Sequence, residues 1–226
     1  IVEEKDATDK ERQITEINSS IFLGRVELFK KHLPLLSNSN KQGEYYLTDI
    51  VSSVVKENIN VKAFVSQDTE SFLGANSRRE LYLLQEKKRV RDLDALMDRG
   101  VTLESAATVF IDDAVEIGKD VFIGSNTRIL GNTKIADGVV IEGDTLIRNS
   151  EIGQNVHLKL GAYVDECRID EDSTLGPFVQ IRPKSHLKKG VKIGNFVEVK
   201  ASVLEAGVKA NHLTYLGDID IGQNSN

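Results

Sequence analysis

The sequence predicts two regions, a mixed α/β part followed by a parallel β-helix. Two observations carry this prediction. Only four of the 17 glycines lie in the first hundred residues. After Gly100, isoleucine occupies seven successive positions spaced six residues apart, from Ile111 to Ile147. A period of six is neither that of a helix nor that of a strand, but it is the period of a hexapeptide β-helix. An ordinary β-sandwich would not keep a six-residue register over this length.

After short steps the register continues to the end of the chain. The later aliphatic positions are Ile152, Leu158, Val164, Ile169, Leu175, Ile181, Leu187, Ile193, Val199 and Leu204. Each hexad forms one flat strand and one corner, with its aliphatic residue pointing inward and glycine permitting tight turns. Three hexads complete a coil of about 18 residues, so the region holds roughly six coils.

The first hundred residues show the patterns of helices and short strands. Apolar spacing predicts helices over residues 25–36 and 44–58, and a long connecting helix over 77–99. We expect a short buried strand within residues 14–23 and an alternating strand over 61–65. The pattern of the first hundred residues therefore predicts an α/β fold.

Composition excludes several classes of protein. The 29 basic and 35 acidic side chains leave a net charge of −6, which argues against a general nucleic-acid binder. No apolar stretch approaches the length of a membrane span, and the acidic N-terminus is not a signal peptide. A single cysteine, Cys167, excludes an internal disulfide and suits a reducing, cytoplasmic location. No histidine or helix start lies near Cys167 in sequence to activate it as a nucleophile.

Arg182 and Lys200 are 18 residues apart, and each directly follows an inward aliphatic residue. We expect them to stack on adjacent coils, about 4.8 Å apart along the axis. Two stacked cations need a negative group nearby. Either Asp165 neutralises them, or they form a site for an anion such as phosphate.

The segment ANHLTYL, residues 210–216, departs from the aliphatic register at Ala210 and carries His212 and Tyr215. We expect this corner to break the repeat and to lie near the two cations. His212 is then either a structural histidine or a general base beside an anion site.

Histidine spacing argues against a zinc site. His157 and His186 are 29 residues apart, and His186 and His212 are 26 apart, neither a multiple of the coil length. The sequence also contains no phosphate-binding glycine-rich loop, G-x-S-x-G or C-x-x-C motif.

Several specific motifs resemble one bacterial family, the bifunctional UDP-N-acetylglucosamine pyrophosphorylase and glucosamine-1-phosphate N-acetyltransferase. The resemblance covers essentially the whole chain in the right order. Its motifs are IVEEKDAT (1–8), EIN (16–18), QGEYYLTDI (42–50), GANSR (74–78), GPFVQIRP (176–183), GNFVEVK (194–200) and KANHLTYLGD (209–218).

For the acetyltransferase, the resemblance implies a left-handed β-helix that forms homotrimers with active sites between subunits. His212 matches the base that takes a proton from the glucosamine amine, which attacks the thioester of acetyl-CoA. Arg182 and Lys200 match residues that hold the sugar phosphate. Tyr215 and Asn226 match further sugar-binding positions.

For the uridylyltransferase, the resemblance implies transfer of uridylyl from UTP to N-acetylglucosamine-1-phosphate. Glu3 and Asn18 match residues that hydrogen-bond the nucleotide sugar, and Asn76 matches a residue that also binds Mg²⁺. The implied organisation is the end of a nucleotidyltransferase domain over 1–78, a linker helix over 79–99, and an acetyltransferase β-helix over 100–226 that is incomplete at its C-terminus.

The chain also departs from the family pattern. The glycine-rich nucleotide loop, its Mg²⁺-binding aspartate and the acetyl-CoA-binding coils are not within these residues. We therefore expect the chain alone to be inactive in both reactions. The alternatives are a hexapeptide-repeat acyltransferase of another substrate, and a non-catalytic trimerising β-helix.

Overall fold

The computed structural model describes residues 1–226, which divide into two units, Ile1–Gly74 and Ala75–Asn226. In the first unit, α1 (Val26–His32) and α2 (Asp49–Lys56) form where helices are predicted. The two helices contact each other and bury His32, Ile50 and Val54. Short 3₁₀ turns complete the unit at Glu11–Gln13, Leu33–Leu35 and Glu70–Phe72.

The strands predicted for the first unit do not form. Residues 14–23 and 61–65 have no strand structure, and Ile17 and Ile21 are 83% and 68% exposed. A strand requires a neighbour to pair its backbone N–H and C=O groups, and this unit contains no strand at all. The prediction of an α/β end of a nucleotidyltransferase domain is therefore wrong for the fold of these residues.

The second unit begins with α3 (Arg78–Met97), close to the predicted connecting helix. Ser77 caps it, because its Oγ accepts a hydrogen bond from the Glu80 N–H at 3.2 Å. Leu93 and Leu96 are buried and belong to the same apolar core as the β-helix. The last turns of α3 therefore cover the open start of the β-helix.

Three parallel sheets of seven strands form the β-helix, one rung more than the predicted six coils. Face A contains β1 (Thr102–Leu103), β4 (Phe122–Ile123), β7 (Val140–Ile141), β10 (His157–Leu158), β13 (Thr174–Leu175), β16 (Lys192–Asn195) and β19 (Lys209–His212). Face B contains β2 (Phe110–Ile111), β5 (Arg128–Leu130), β8 (Leu146–Arg148), β11 (Tyr163–Asp165), β14 (Gln180–Ile181), β17 (Glu198–Lys200) and β20 (Tyr215–Gly217). Face C contains β3 (Glu116–Ile117), β6 (Lys134–Ile135), β9 (Glu151–Ile152), β12 (Arg168–Ile169), β15 (His186–Leu187), β18 (Val203–Leu204) and β21 (Asp220–Ile221).

The predicted aliphatic column is the core. Register pairs join inward residues of successive rungs, such as Ile129 with Ile147 and Ile181 with Val199. Nearly all of these side chains from Ile123 to Leu204 are fully buried. The parallel β-helix with hexapeptide repeats is therefore confirmed.

The predicted break at residues 210–216 does not occur. Ala210 pairs with Ile193, Leu216 pairs with Val199, and both pack against the core. The spacing of six residues between Ala210 and Leu216 keeps the register, and only the size of the inward side chain changes. The prediction of a non-repeating corner was wrong because alanine fills the inward position without disturbing the coil.

No helix of the chain combines the length and the apolar character needed to cross a bilayer.

Candidate functional site

Arg182 and Lys200 stack on adjacent rungs of face B, as their spacing predicts. The register pairs Ile181 with Val199, and the Arg182 N–H donates to the Val199 carbonyl at 2.8 Å. The next rung places Gly217 opposite Lys200. We call the outward positions Arg148, Asp165, Arg182 and Lys200, each directly after an inward residue of face B, the charge column.

Each of the two cations has its own carboxylate partner from later in the chain. Arg182 Nη1 lies 2.6 Å from Glu198 Oε1, and Lys200 Nζ lies 3.1 Å from Asp218 Oδ2. The hydrogen bond with Glu198 raises the pKa of Arg182. All four side chains are at least one-third exposed. Such ion pairs are weak, so a dianion can replace the carboxylates.

Asp165, the residue predicted as the neutralising partner, pairs elsewhere. Arg148 donates to both of its oxygens, from Nε to Oδ1 at 2.8 Å and from Nη2 to Oδ2 at 2.5 Å. This pairing lowers the pKa of Asp165. The alternative in which Asp165 neutralises the Arg182–Lys200 pair, one of the two that the spacing left open, is thus wrong, because Arg148 on the preceding rung takes both carboxylate oxygens.

Tyr215 lies over the outer surface of the same face. It is exposed and pairs with Glu198 in the register. Its phenol oxygen occupies the space that a side chain at Gly217 would need. The ring therefore lies along its strand toward the rung position opposite Lys200.

His212 ends β19, three residues before Tyr215 on the same rung. The register places it opposite Asn195, and its side chain is exposed. Its backbone carbonyl accepts a hydrogen bond from Thr214 Oγ1 at 2.9 Å, while its imidazole makes no hydrogen bond or ion pair. Both ring nitrogens are therefore free for a substrate.

Asn226 lies beside the strand that carries His212. Asn211 Nδ2 donates to Asn226 Oδ1 at 3.5 Å, and Asn211 directly precedes His212. The β-helix thus places Arg182, Lys200 and Tyr215 on face B and brings Asn226 toward the end of face A where His212 lies.

Sequence reasoning missed the residues that partner these cations. Glu198, Asp218 and the Arg148–Asp165 pairing were not predicted. Their signal is an opposite charge about one coil away, since the partners are 16, 18 and 17 residues apart. A search for opposite charges at this separation finds all three pairs.

Glu3 and Asn18, matched to a nucleotide-sugar site, lie in the first unit, and Asn76 lies at the start of the second. Glu3 Oε1 accepts a hydrogen bond from Thr48 Oγ1 at 3.3 Å. Asn18 is exposed in an irregular segment, and no hydrogen bond joins it to Glu3. Asn76 belongs to the other unit, where its N–H donates to Glu80 Oε2 at 2.6 Å just before α3.

The donors around Asn76 do not fit the implied Mg²⁺ site. Mg²⁺ requires near-octahedral oxygen coordination, usually with one or two carboxylates and phosphate oxygens. The Glu80 carboxylate near Asn76 already accepts the Asn76 N–H, and no group of three or more acidic, histidine or cysteine side chains is placed to hold a metal ion.

Comparison with known proteins gives the family context. Residues 114–149 match the family described as bacterial transferase hexapeptide (six repeats). The bifunctional protein GlmU of Clostridioides difficile is 41% identical over 226 residues, which is 100% of this chain and 49% of that protein. The bifunctional protein GlmU of Geotalea uraniireducens is 44% identical over 226 residues, covering 100% of this chain and 50% of that protein. The chain is thus similar to GlmU proteins along its whole length.

The chain spans about half the length of these GlmU relatives. The match to the hexapeptide family agrees with a left-handed parallel β-helix. Among solved structures, a UDP-N-acetylglucosamine acyltransferase from Campylobacter jejuni is 20% identical to this chain. That match covers 55% of this chain and 62% of the other, with a TM-score of 0.28.

Proposed function

We propose that residues 100–226 carry an acetyltransferase function, the transfer of an acetyl group from acetyl-CoA to the amine of glucosamine-1-phosphate. One observation carries the proposal. A stacked pair of cations with exchangeable partners lies on the two rungs below the rung of an exposed, unpaired histidine. The identity to GlmU proteins over the whole chain supports the choice of substrate.

The cations bind the phosphate of the sugar. Arg182 offers a planar fork of donors and Lys200 a point charge, and both form charge-assisted hydrogen bonds with phosphate oxygens. Binding releases Glu198 and Asp218 to solvent, which costs little because both are partly exposed already. A phosphate dianion brings more negative charge to the two cations than either single carboxylate does.

His212 is the general base. The amine nitrogen forms a bond to the acetyl carbonyl carbon, the carbon–sulfur bond breaks, and CoA leaves as the thiolate. The proton lost by the amine passes to a free imidazole nitrogen of His212. Acetyl-CoA is thus a substrate rather than a resident cofactor. Tyr215 and Asn226 contribute hydrogen bonds to the sugar from either side.

The uridylyl step lies outside what this chain does alone. In that step N-acetylglucosamine-1-phosphate and UTP give the nucleotide sugar, with Mg²⁺ in the relatives' site as the resemblance implies. Residues 1–78 contain no sheet. We assign residues 79–99 to a connector. We assign no uridylyltransferase activity to residues 1–78 by themselves.

A homotrimer in the cytoplasm is part of the proposal. At the corner between faces A and B, the rings of Phe178 and Phe196 stack at 5.6 Å and are 47% and 57% exposed. An exposed aromatic stack of this kind is typical of an interaction surface. A second copy of this chain is the proposed occupant, and a mass measured by light scattering tests it. A monomeric mass would exclude the trimer.

The test of the reaction is His212→Asn in the protein that carries this chain. Release of CoA thiol with glucosamine-1-phosphate as acceptor should fall by about 10²- to 10⁴-fold, the usual effect of losing a general base. The KM for glucosamine-1-phosphate should change little. His186→Asn is the matched control, because the His186 imidazole is already paired with Asp170 on face C.

The outcomes separate the alternatives. An unchanged rate in His212→Asn removes this residue from the role of base. A different amino sugar that is acetylated much faster than glucosamine-1-phosphate would favour an acyltransferase of another substrate. A trimer that acetylates no amine would favour a non-catalytic scaffold.

A further inference from the structure

The charge column contains one acidic residue among three basic ones. In chain order its side chains are Arg148, Asp165, Arg182 and Lys200, on four consecutive rungs. The register pairs Val164 with both Ile147 and Ile181, so Asp165 lies one rung above Arg148 and one rung below Arg182. Each separation is about 4.8 Å along the axis.

Asp165 forms an ion pair with only one of these two neighbours, Arg148. Arg148 occupies both carboxylate oxygens through a bidentate pair at 2.8 and 2.5 Å, and the Asp165 side chain is only 8% exposed. Bidentate guanidinium–carboxylate pairs fix geometry as well as charge. Arg182 bonds to Glu198 on the following rung instead.

The Arg148–Asp165 ion pair therefore determines the net charge around Arg182 and Lys200, the proposed anion site. A carboxylate released from Arg148 would still have the cation Arg182 one rung above it. Arg182 would then face carboxylates on both adjacent rungs, Asp165 below and Glu198 above. Asp165 is also far less exposed than Glu198, so solvent would screen it less and an incoming anion would displace it less easily.

We propose that Arg148 is a positioning residue that holds Asp165 away from Arg182 and so keeps the anion site cationic. Arg148 does not touch the substrate in this scheme. The inference rests on the proposed function, because it assumes that Arg182 and Lys200 bind the phosphate of glucosamine-1-phosphate.

Isothermal titration of glucosamine-1-phosphate into the protein that carries this chain tests it. Arg148→Met keeps an unbranched side chain and removes the charge. We expect about tenfold weaker binding, because solvent on this face leaves only part of the new repulsion unscreened. Arg148→Met with Asp165→Asn should restore the wild-type affinity, and Asp165→Asn alone should bind at least as tightly as wild type.

Two controls make the result specific. Lys134→Met removes one positive charge from face C, where Lys134 pairs with Glu116 at 3.3 Å, and should leave affinity unchanged. Arg182→Met should weaken binding by about 10- to 100-fold. If Arg182→Met binds like wild type, the phosphate assignment fails. If Arg182→Met weakens binding while Arg148→Met does not, the positioning role of Arg148 is wrong and the phosphate assignment stands. The same conclusion follows if the double variant stays weak. Circular dichroism and Tm confirm that each variant is folded.

Discussion

The Asn211 backbone carbonyl occupies the space that a side chain on Gly194 would need. A Cβ at Gly194 would overlap the Asn211 oxygen, and Asn211 directly precedes His212. The two strands, β16 and β19, are also the longest of face A and pair as far as Asn195 and His212. The absence of a side chain at residue 194 therefore sets the position of the strand that presents the histidine.

We expect Gly194→Ala to displace His212 and to impair acetyl transfer through kcat more than through KM. The added methyl group meets backbone atoms, which cannot rotate away, and overpacking of this kind costs about 1–3 kcal/mol of stability. Activity and the ring signals of His212 in NMR spectra are the measurements.

Gly153→Ala is the matched control for that prediction. Gly153 also follows an inward residue, and a Cβ there would lie 2.6 Å from the Glu171 backbone nitrogen on face C. We expect a similar loss of Tm with unchanged His212 signals. Equal effects of the two variants on the histidine signals would contradict a specific role for Gly194.

Substitution of the cations should separate the two substrates. Arg182→Ala and Lys200→Ala should each raise the Kd for glucosamine-1-phosphate by about 10- to 100-fold, the effect of losing a hydrogen bond between charged groups. The Kd for acetyl-CoA should change far less. Titration calorimetry measures both constants, and an equal loss for both substrates would point to a structural role for the column.

The Arg148–Asp165 pair should make stability depend on acidic pH. Arg148 lowers the pKa of Asp165, so the folded state holds the ionised carboxylate more strongly than the unfolded chain does. This contribution is present above the unfolded pKa of about 3.9 and is lost as pH falls through the lower folded pKa.

We therefore expect Arg148→Met to lower Tm at pH 6 and to have a smaller effect near pH 2, where wild type has lost the same contribution. Thermal unfolding followed by circular dichroism between pH 2 and 7 measures this. Lys134→Met is the control, because the Lys134–Glu116 pair is mostly exposed and should give a flat difference. A Tm difference for Arg148→Met that is independent of pH would refute the linkage.

Cys167 should be inert toward thiol reagents in the folded protein. Burial raises the pKa of the thiol to about 12, and its sulfur lies 3.7 Å from Ser150 Oγ on the preceding rung. Because the thiolate is the reactive form, Ellman's reagent at pH 8 should react slowly with the native chain and fast in urea. Fast reaction without denaturant would mean that this rung opens readily.

Sequence by itself determined the β-helix and the rows of residues along it. The six-residue repeat is local, so the spacing from Ile181 to Val199 was enough to predict that Arg182 and Lys200 stack. Helix α3 was predictable for the same reason, since the cap at Ser77 and the helical pattern are both local signals. The first unit was less predictable, because residues 14–23 have the composition of a strand while pairing depends on distant segments.

Only the tertiary structure decided which charged groups pair. From spacing, Asp165 is as close to Arg182 as to Arg148, and the sequence leaves the choice open. The choice depends on side-chain reach and direction on a packed face, where Arg148 takes both oxygens of Asp165 and Arg182 turns to Glu198. A repeat determines where backbones lie, because backbone pairing is periodic. Ion pairing depends on rotamers and neighbours that have no period, so it is settled only when the coils are stacked.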